Sequence, residues 1–294
     1  GSFYDAVYCM KHYGMIPQSA MPEPGTLYGD TLPNFTEFFS ILEPQVAAIA
    51  KGKQKKLSPI WFKSINSTLD NYLGECPTEF TYNGKTYTPQ SYMASTGLNM
   101  DDYVSLTSFT HHPFYEQFVI EVQDNWRWAL SYNLPLDEFM EVMESGVKNG
   151  YTFAWGADVT ENGFSRDGIA VYPDLQKVKD ENGSDYARWF GTTSTSSRGA
   201  YTARPLPEIT VTQEMRQEAY DNWETTDDHG MIIYGIAADQ NGKEYFMVKN
   251  SWGTNYKYNG IWYASKAFVA YKTMNILIHK DAIPKNIAKK LGIK

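Results

Sequence analysis

Residues 227–253 read DDHGMIIYGIAADQNGKEYFMVKNSWG. Two strand-like runs, Met231 to Ala238 and Tyr245 to Lys249, flank a turn that contains Asn241-Gly242. Both turn residues tolerate a positive φ, so the pattern predicts a β-hairpin. His229 stands just before the first run and Asn250 just after the second, and the hairpin brings the two together. An amide oxygen on Asn250 can accept a hydrogen bond from one ring nitrogen of His229. That fixes the tautomer and turns the other nitrogen outward, as a base is prepared for a nucleophile. The plainer alternative is a buried histidine at a strand edge beside a surface turn.

The composition narrows the classes outside this stretch. The chain has 294 residues, 42% of them hydrophobic, enough for a large core in one or two domains. Its formal charge is −8, and its only cationic cluster lies between Lys285 and Lys294, so no nucleic-acid partner is expected. No apolar run reaches the roughly 20 residues of a membrane helix, so no membrane partner is expected either. The two cysteines, Cys9 and Cys76, do not form a disulfide scaffold. Cys9 falls inside a helix predicted from Ser2 to about His12 and reads as a small buried thiol. A hydrolase using Cys9 with His229 would need that thiol at a helix start, which the helix phase opposes.

Asp228-His229-Gly230-Met231, followed by a strand, and Lys249-Asn250-Ser251-Trp252-Gly253 resemble the papain-like cysteine peptidases. The resemblance implies a Cys-His-Asn triad, with His229 as base, Asn250 holding its ring and Trp252 covering their hydrogen bond. Two more stretches are similar to the bleomycin hydrolases and bacterial aminopeptidases C. One is Ser2-Phe3-Tyr4-Asp5 with Tyr13-Gly14-Met15-Ile16-Pro17. The other is Leu134-Pro135-Leu136-Asp137-Glu138-Phe139, a helix, and then YTFAWGAD from Tyr151 to Asp158.

In that family the nucleophilic cysteine sits on a helix N-terminus in a Gln…Gly-x-Cys-Trp setting, which neither Cys9 nor Cys76 has. The resemblance therefore implies a partner, the N-terminal Cys-bearing segment of the same protein, which also carries the oxyanion donors. It further implies a peptide substrate, a homo-hexamer, no cofactor and no metal. The compartment it suggests is cytoplasmic, with periplasmic or secreted as the alternative if a leader was removed. Three accounts of the absent cysteine stand: processing, a stretch missing ahead of residue 1, or a catalytically inactive relative kept for binding or assembly. His229, Asn250 and Trp252 occurring together favour the first two.

The expected fold class is α+β, a papain-like fold with a helical part, an antiparallel β-barrel domain and a helical insertion. Residues 1–33 are assigned to the remainder of the helical domain and 34–133 to the insertion with its connecting segments. Residues 134–294 form the barrel domain carrying His229 and Asn250. Within the insertion, one helix is predicted from about Phe35 to Lys51, bent at Pro44, and a second from Ser58-Pro59 to Gly74. Asn83-Gly84 predicts another hairpin. The polar stretch from Glu161 to Ala203 is long for an ordered loop and is expected to move or to cover the cleft. The family resemblance implies that the loop carrying His111-His112 lies near the cleft. Adjacent histidines usually point apart, and no third His or Cys is close, so the pair is not read as a metal site. The tail after the last strand is shorter than the arm that fills the cleft in the family.

Overall fold

A computed structural model of the chain describes residues 2–21, 35–177, 201–202 and 205–294. The chain divides into two units, residues 7–98 and residues 1–6 with 99–294. The first helix, α1 (Phe3–Tyr13), crosses the boundary between them. Val7 is its buried residue, and Cys9 is exposed. Two positions along a helix are about 200° around it, so Cys9 faces away from the side that Val7 covers. The expected buried thiol is thus corrected to an exposed one; Cys76 is also free and exposed.

In the smaller unit, α2 (Thr36–Ala50) and α3 (Ile60–Leu73) pack on each other. Gln45 bonds Ser64 and Thr68, and Tyr72 donates to Glu37, so partner numbers fall on one helix as they rise on the other. The pair is therefore antiparallel. Pro44 lies inside α2, and Gly74, at φ 87°, ends α3. β1 (Phe80–Tyr82) and β2 (Lys85–Tyr87) form the second hairpin, with Asn83 at φ 49° and Gly84 at φ 75°. Two successive positive φ values are what a two-residue turn of this hand requires. Thr88 then caps α4 (Pro89–Ser95) through a reciprocal bond with Ser91.

The larger unit is built on one ten-stranded sheet. Its strands are β3 (Tyr103–Thr107), β4 (Gln117–Val119), β5 (Leu130–Asn133), β6 (Phe153–Ala157), β7 (Phe164–Ser165), β8 (Ile169–Ala170), β9 (His229–Ala238), β10 (Glu244–Lys249), β11 (Ile261–Ser265) and β12 (Thr273–His279). Their spatial order is β4-β5-β3-β12-β6-β9-β10-β11-β8-β7. Most neighbours are antiparallel, but β3 with β5 and β11 with β8 are parallel. The domain boundary expected at 134 therefore moves. β3, β4 and β5 belong to the same sheet as the strands after 134, and the unit resumes at 99. The alternation from Tyr103 to Phe109 predicts a strand, and β3 forms there; β4 and β5 are too short to show such a pattern.

Among its described residues this unit also carries the helices α5 (Leu136–Lys148), α6 (Gln213–Asp221), α7 (Lys266–Lys272) and α8 (Lys285–Leu291). α5 buries Phe139, Val142, Met143 and Gly146, one stripe at helical spacing, and packs against β9. Its stripe joins a core containing Trp155, Phe246, Trp262, Phe268 and Ile276. The tail does not behave as a loose arm here, because Ile287 and Leu291 of α8 enter that same core. Of the expected covering stretch 161–203, residues 178–200 and 203 lie outside the described residues, as do residues 22–34 of the Pro- and Gly-rich segment. Among the described residues, no helix is long and apolar enough to cross a membrane.

Candidate active site

The hairpin of β9 and β10 forms, though not with a two-residue turn. Gly242, at φ 81°, donates its N–H to the Asp239 carbonyl, and the Asp239 carboxylate accepts from Asn241 N and Lys243 N. A side chain that bonds its own turn thus lengthens the loop. Farther down the ladder, Met247 faces Gly235 while Val248 faces Ile233, so Tyr234 is a bulge residue. The Asn250 N–H then donates to the Gly260 carbonyl (3.1 Å), which fixes the chain as it leaves β10.

This ladder brings the three expected residues together. His229 Nε2 lies 2.8 Å from Asn250 Oδ1. The same Oδ1 accepts the Ser251 N–H at 2.7 Å, so it is the oxygen of the amide, and Nε2 is the protonated ring nitrogen. Nδ1 therefore keeps a free lone pair and has no hydrogen-bond partner among the described residues. Trp252 stacks on the imidazole, with centroids 5.1 Å apart and an interplanar angle of 28°. Phe164 and Trp262 hold the indole edge-on. Asn250 is buried, so its bond to His229 is sheltered from water on that side. The dyad can accept a proton at Nδ1 and keep the resulting cation oriented.

A second part of the site is less visible in the sequence. Gly230, next to His229, pairs directly across β6 with Gly156. A Cβ on Gly230 would lie 3.1 Å from the Phe3 ring, and one on Gly156 would lie 3.4 Å from it. The two glycines make a flat floor that receives Phe3 from the first turn of α1. Tyr4 is anchored beside it, its hydroxyl accepting the Ser105 N–H at 2.9 Å. Between these elements is a cavity of about 230 Å³, lined by Phe3, Tyr4, Asp124, Asp227, Asp228 and His229 among others. The paired glycines were the readable signal, but their register emerges only from the sheet.

Three carboxylates give the cavity its charge. Burial, then the nearby Asp124 and Asp228, pushes the Asp227 carboxyl up from 3.8 to about 6. Burial also raises Asp158, which shares a hydrogen bond with Asp228; at Asp228 burial pushes upward too, but the hydrogen bonds from Asp158, Thr226, Val159 and Thr160 together outweigh it and lower the carboxyl. Asp158 is thus the member that holds the proton. The fully buried Lys272 lies 3.8 Å from Asp158 and is paired more closely with Glu161.

A raised folded-state value means that Asp227 contributes fully to stability below about pH 4 and that this contribution is lost as the pH climbs through about 6. Asp227→Asn is accordingly expected to leave the melting temperature unchanged at about pH 3.5. At about pH 7.5 it should stabilise the chain by less than about 3 kcal/mol. Thermal melts at the two pH values check this, and a lower melting temperature at the higher pH contradicts it.

Residues 191–293 match the Peptidase C1-like family. Aminopeptidase C of Streptococcus thermophilus is 24% identical over 96% of this chain, and aminopeptidase E of Lactobacillus helveticus 21% identical over 95%. The crystal structure of pepW from Lactobacillus rhamnosis superposes with a TM-score of 0.64 at 20% identity, covering 97% of this chain. The chain has a papain-like fold and is similar to the C1-like peptidases. It spans 63% of the length of each of these three relatives. The α+β, papain-like fold expected from the sequence is thereby established, and so is the relation to the aminopeptidases C.

Proposed function

We propose that the chain carries the base, and the residue that orients it, of a cysteine peptidase acting on peptide substrates. The observation that carries this reading is the 2.8 Å bond between His229 Nε2 and Asn250 Oδ1, which leaves Nδ1 as the free ring nitrogen beneath a stacked Trp252. The nucleophile is a cysteine thiol on an N-terminal segment of the same protein that precedes residue 1. Nδ1 takes the thiol proton, and the thiolate attacks the peptide carbonyl. The imidazolium returns that proton to the leaving amine as the C–N bond breaks, and water then hydrolyses the thioester, with Nδ1 accepting its proton. Asn250 keeps the ring in register throughout, and Trp252 keeps water from their bond.

The relatives' names point to removal of N-terminal residues. The carboxylates of Asp124 and Asp227, in the cavity beside His229, suit the cationic end of a peptide. The test uses the complete protein, including the Cys-bearing segment, with an amino-acyl 4-nitroanilide and its N-acetylated form. Cleavage of the free-amine substrate that iodoacetamide abolishes, with the acetylated form uncut, is the expected result. Cleavage of neither substrate would favour the alternative of an inactive binding or assembly protein. The homo-hexamer implied by the family resemblance belongs to the same proposal. Phe39, Ile60 and Phe62 of the smaller unit, each at least half exposed, offer apolar surface for subunit contacts, and sedimentation velocity reads the assembly directly.

A further inference from the structure

His111 and His112 do not point apart. Both present Nε2 to one carboxylate, His111 to Glu121 Oε2 and His112 to Glu121 Oε1, each at 3.4 Å. All three donor atoms lie within 4.8 Å of one another. We propose that His111, His112 and Glu121 form a binding site for a divalent transition metal of the zinc type. A direct N–H···O bond is normally about 2.7–3.2 Å, so both contacts are long for a simple ion pair. Ligands about 2.0–2.1 Å from a tetrahedral ion are, by geometry, about 3.3–3.4 Å from each other, which matches the approach of each imidazole to its own oxygen of Glu121. Two imidazoles and one carboxylate are also a donor set that zinc accepts, with a coordination position left open.

The site is held ready by its surroundings. The fully buried Asn133 ties down the loop that carries the histidines: its Nδ2 donates to the carbonyls of Phe109, His112 and Pro113, and its Oδ1 accepts the Phe109 N–H. Each ring is then fixed by stacking, His112 on Phe118 (4.4 Å, 23°) and His111 on Tyr220 (5.2 Å, 15°). Gln217 faces His111 Nδ1 with both amide atoms, Nε2 at 3.1 Å and Oε1 at 3.3 Å; metal binding at Nε2 of His111 selects the tautomer in which Nδ1–H donates to Oε1. The sequence concealed this site because Glu121, the third ligand, is a carboxylate nine residues past His112, on the far side of β4. A cavity of about 520 Å³ beside His111 and Glu121 shares Asp124 and Asp227 with the cavity next to His229, so the ion would sit on a wall continuous with the cleft.

Cobalt(II) is the direct probe. Titrated into the chain, it is expected to bind one ion per chain, give the visible absorption of a tetrahedral centre, and be displaced by zinc. Glu121→Gln, at an exposed position, and His112→Ala, at a half-buried one, should each weaken binding at least tenfold, while His229→Ala leaves it unchanged. Zinc should raise the melting temperature of the wild type and not of Glu121→Gln, a readout that also reports whether the variant is folded. No saturable cobalt binding, or binding that survives both ligand substitutions, overturns the assignment. Binding lost only in His229→Ala also overturns it, by placing the ion in the cleft.

Discussion

His229→Ala is expected to lower kcat/KM of the complete peptidase by about a thousandfold or more. The ring provides the lone pair at Nδ1 and the only orientation that Asn250 Oδ1 enforces, and alanine removes both. Asn250→Ala should cost less, on the order of ten- to a hundredfold, because the imidazole survives and loses only its fixed tautomer and position. The two losses should not add, since Asn250 acts through His229. His229 is only partly buried and makes one side-chain hydrogen bond. Its replacement should therefore change the urea midpoint little, and activity measured beside unfolding separates chemistry from folding. Activity that survives His229→Ala would remove the triad reading.

Arg216→Leu has the largest expected effect on stability, a loss of about 3–5 kcal/mol. Arg216, on α6, is 1% exposed. Its guanidinium donates to the carbonyls of Ser108 (2.7 Å), Ala270 (3.1 Å), Tyr271 (3.4 Å) and Thr273, and lies 4.6 Å above the Phe109 ring. No carboxylate neutralises it among the described residues, so the cation is held by backbone carbonyl dipoles and aromatic faces. Leucine fills part of the volume but leaves these carbonyls buried without partners. Arg216→Lys keeps the charge but lacks the planar fork, and should recover only part of the loss. Urea unfolding checks both variants, and a change below about 1 kcal/mol for leucine would show that water reaches the carbonyls.

The pairing of His229 with Asn250 was legible because its signals are local. A turn between two apolar runs returns the chain on itself, and the residues at the ends must meet. The helices α2, α3 and α5 were legible for the same reason, through their periodicity, proline and glycine punctuation. What escaped the sequence depends on partners distant along the chain. β4 and β5 hold only three and four residues and become strands by pairing into the sheet, whereas the alternation from Tyr103 to Phe109 already reads as the strand β3. Arg216 resembles any charged residue on a polar helix until the backbone of β12 and α7 closes around it. Glu121 acquires meaning only when β4 returns it to His111 and His112. Cys9 was misjudged because helical phase gives the spacing of a stripe but not which flank is covered.

The place of β12 in the sheet has a consequence for how the protein is made. It follows every other strand of the sheet in sequence, yet it sits between β3 and β6, antiparallel to both. Until residues 273–279 have left the ribosome, the sheet can exist only as a three-strand piece and a six-strand piece, each with an unsatisfied edge. His229 and Asn250 lie in the second piece, so the dyad can be assembled before the sheet is joined. The nascent chain must nevertheless wait with two open edges that invite pairing with other chains, and its closing contacts span much of the sequence. Folding should therefore be slow and late in synthesis, and a chaperone that shields strand edges should raise the yield more than one that accelerates helix formation.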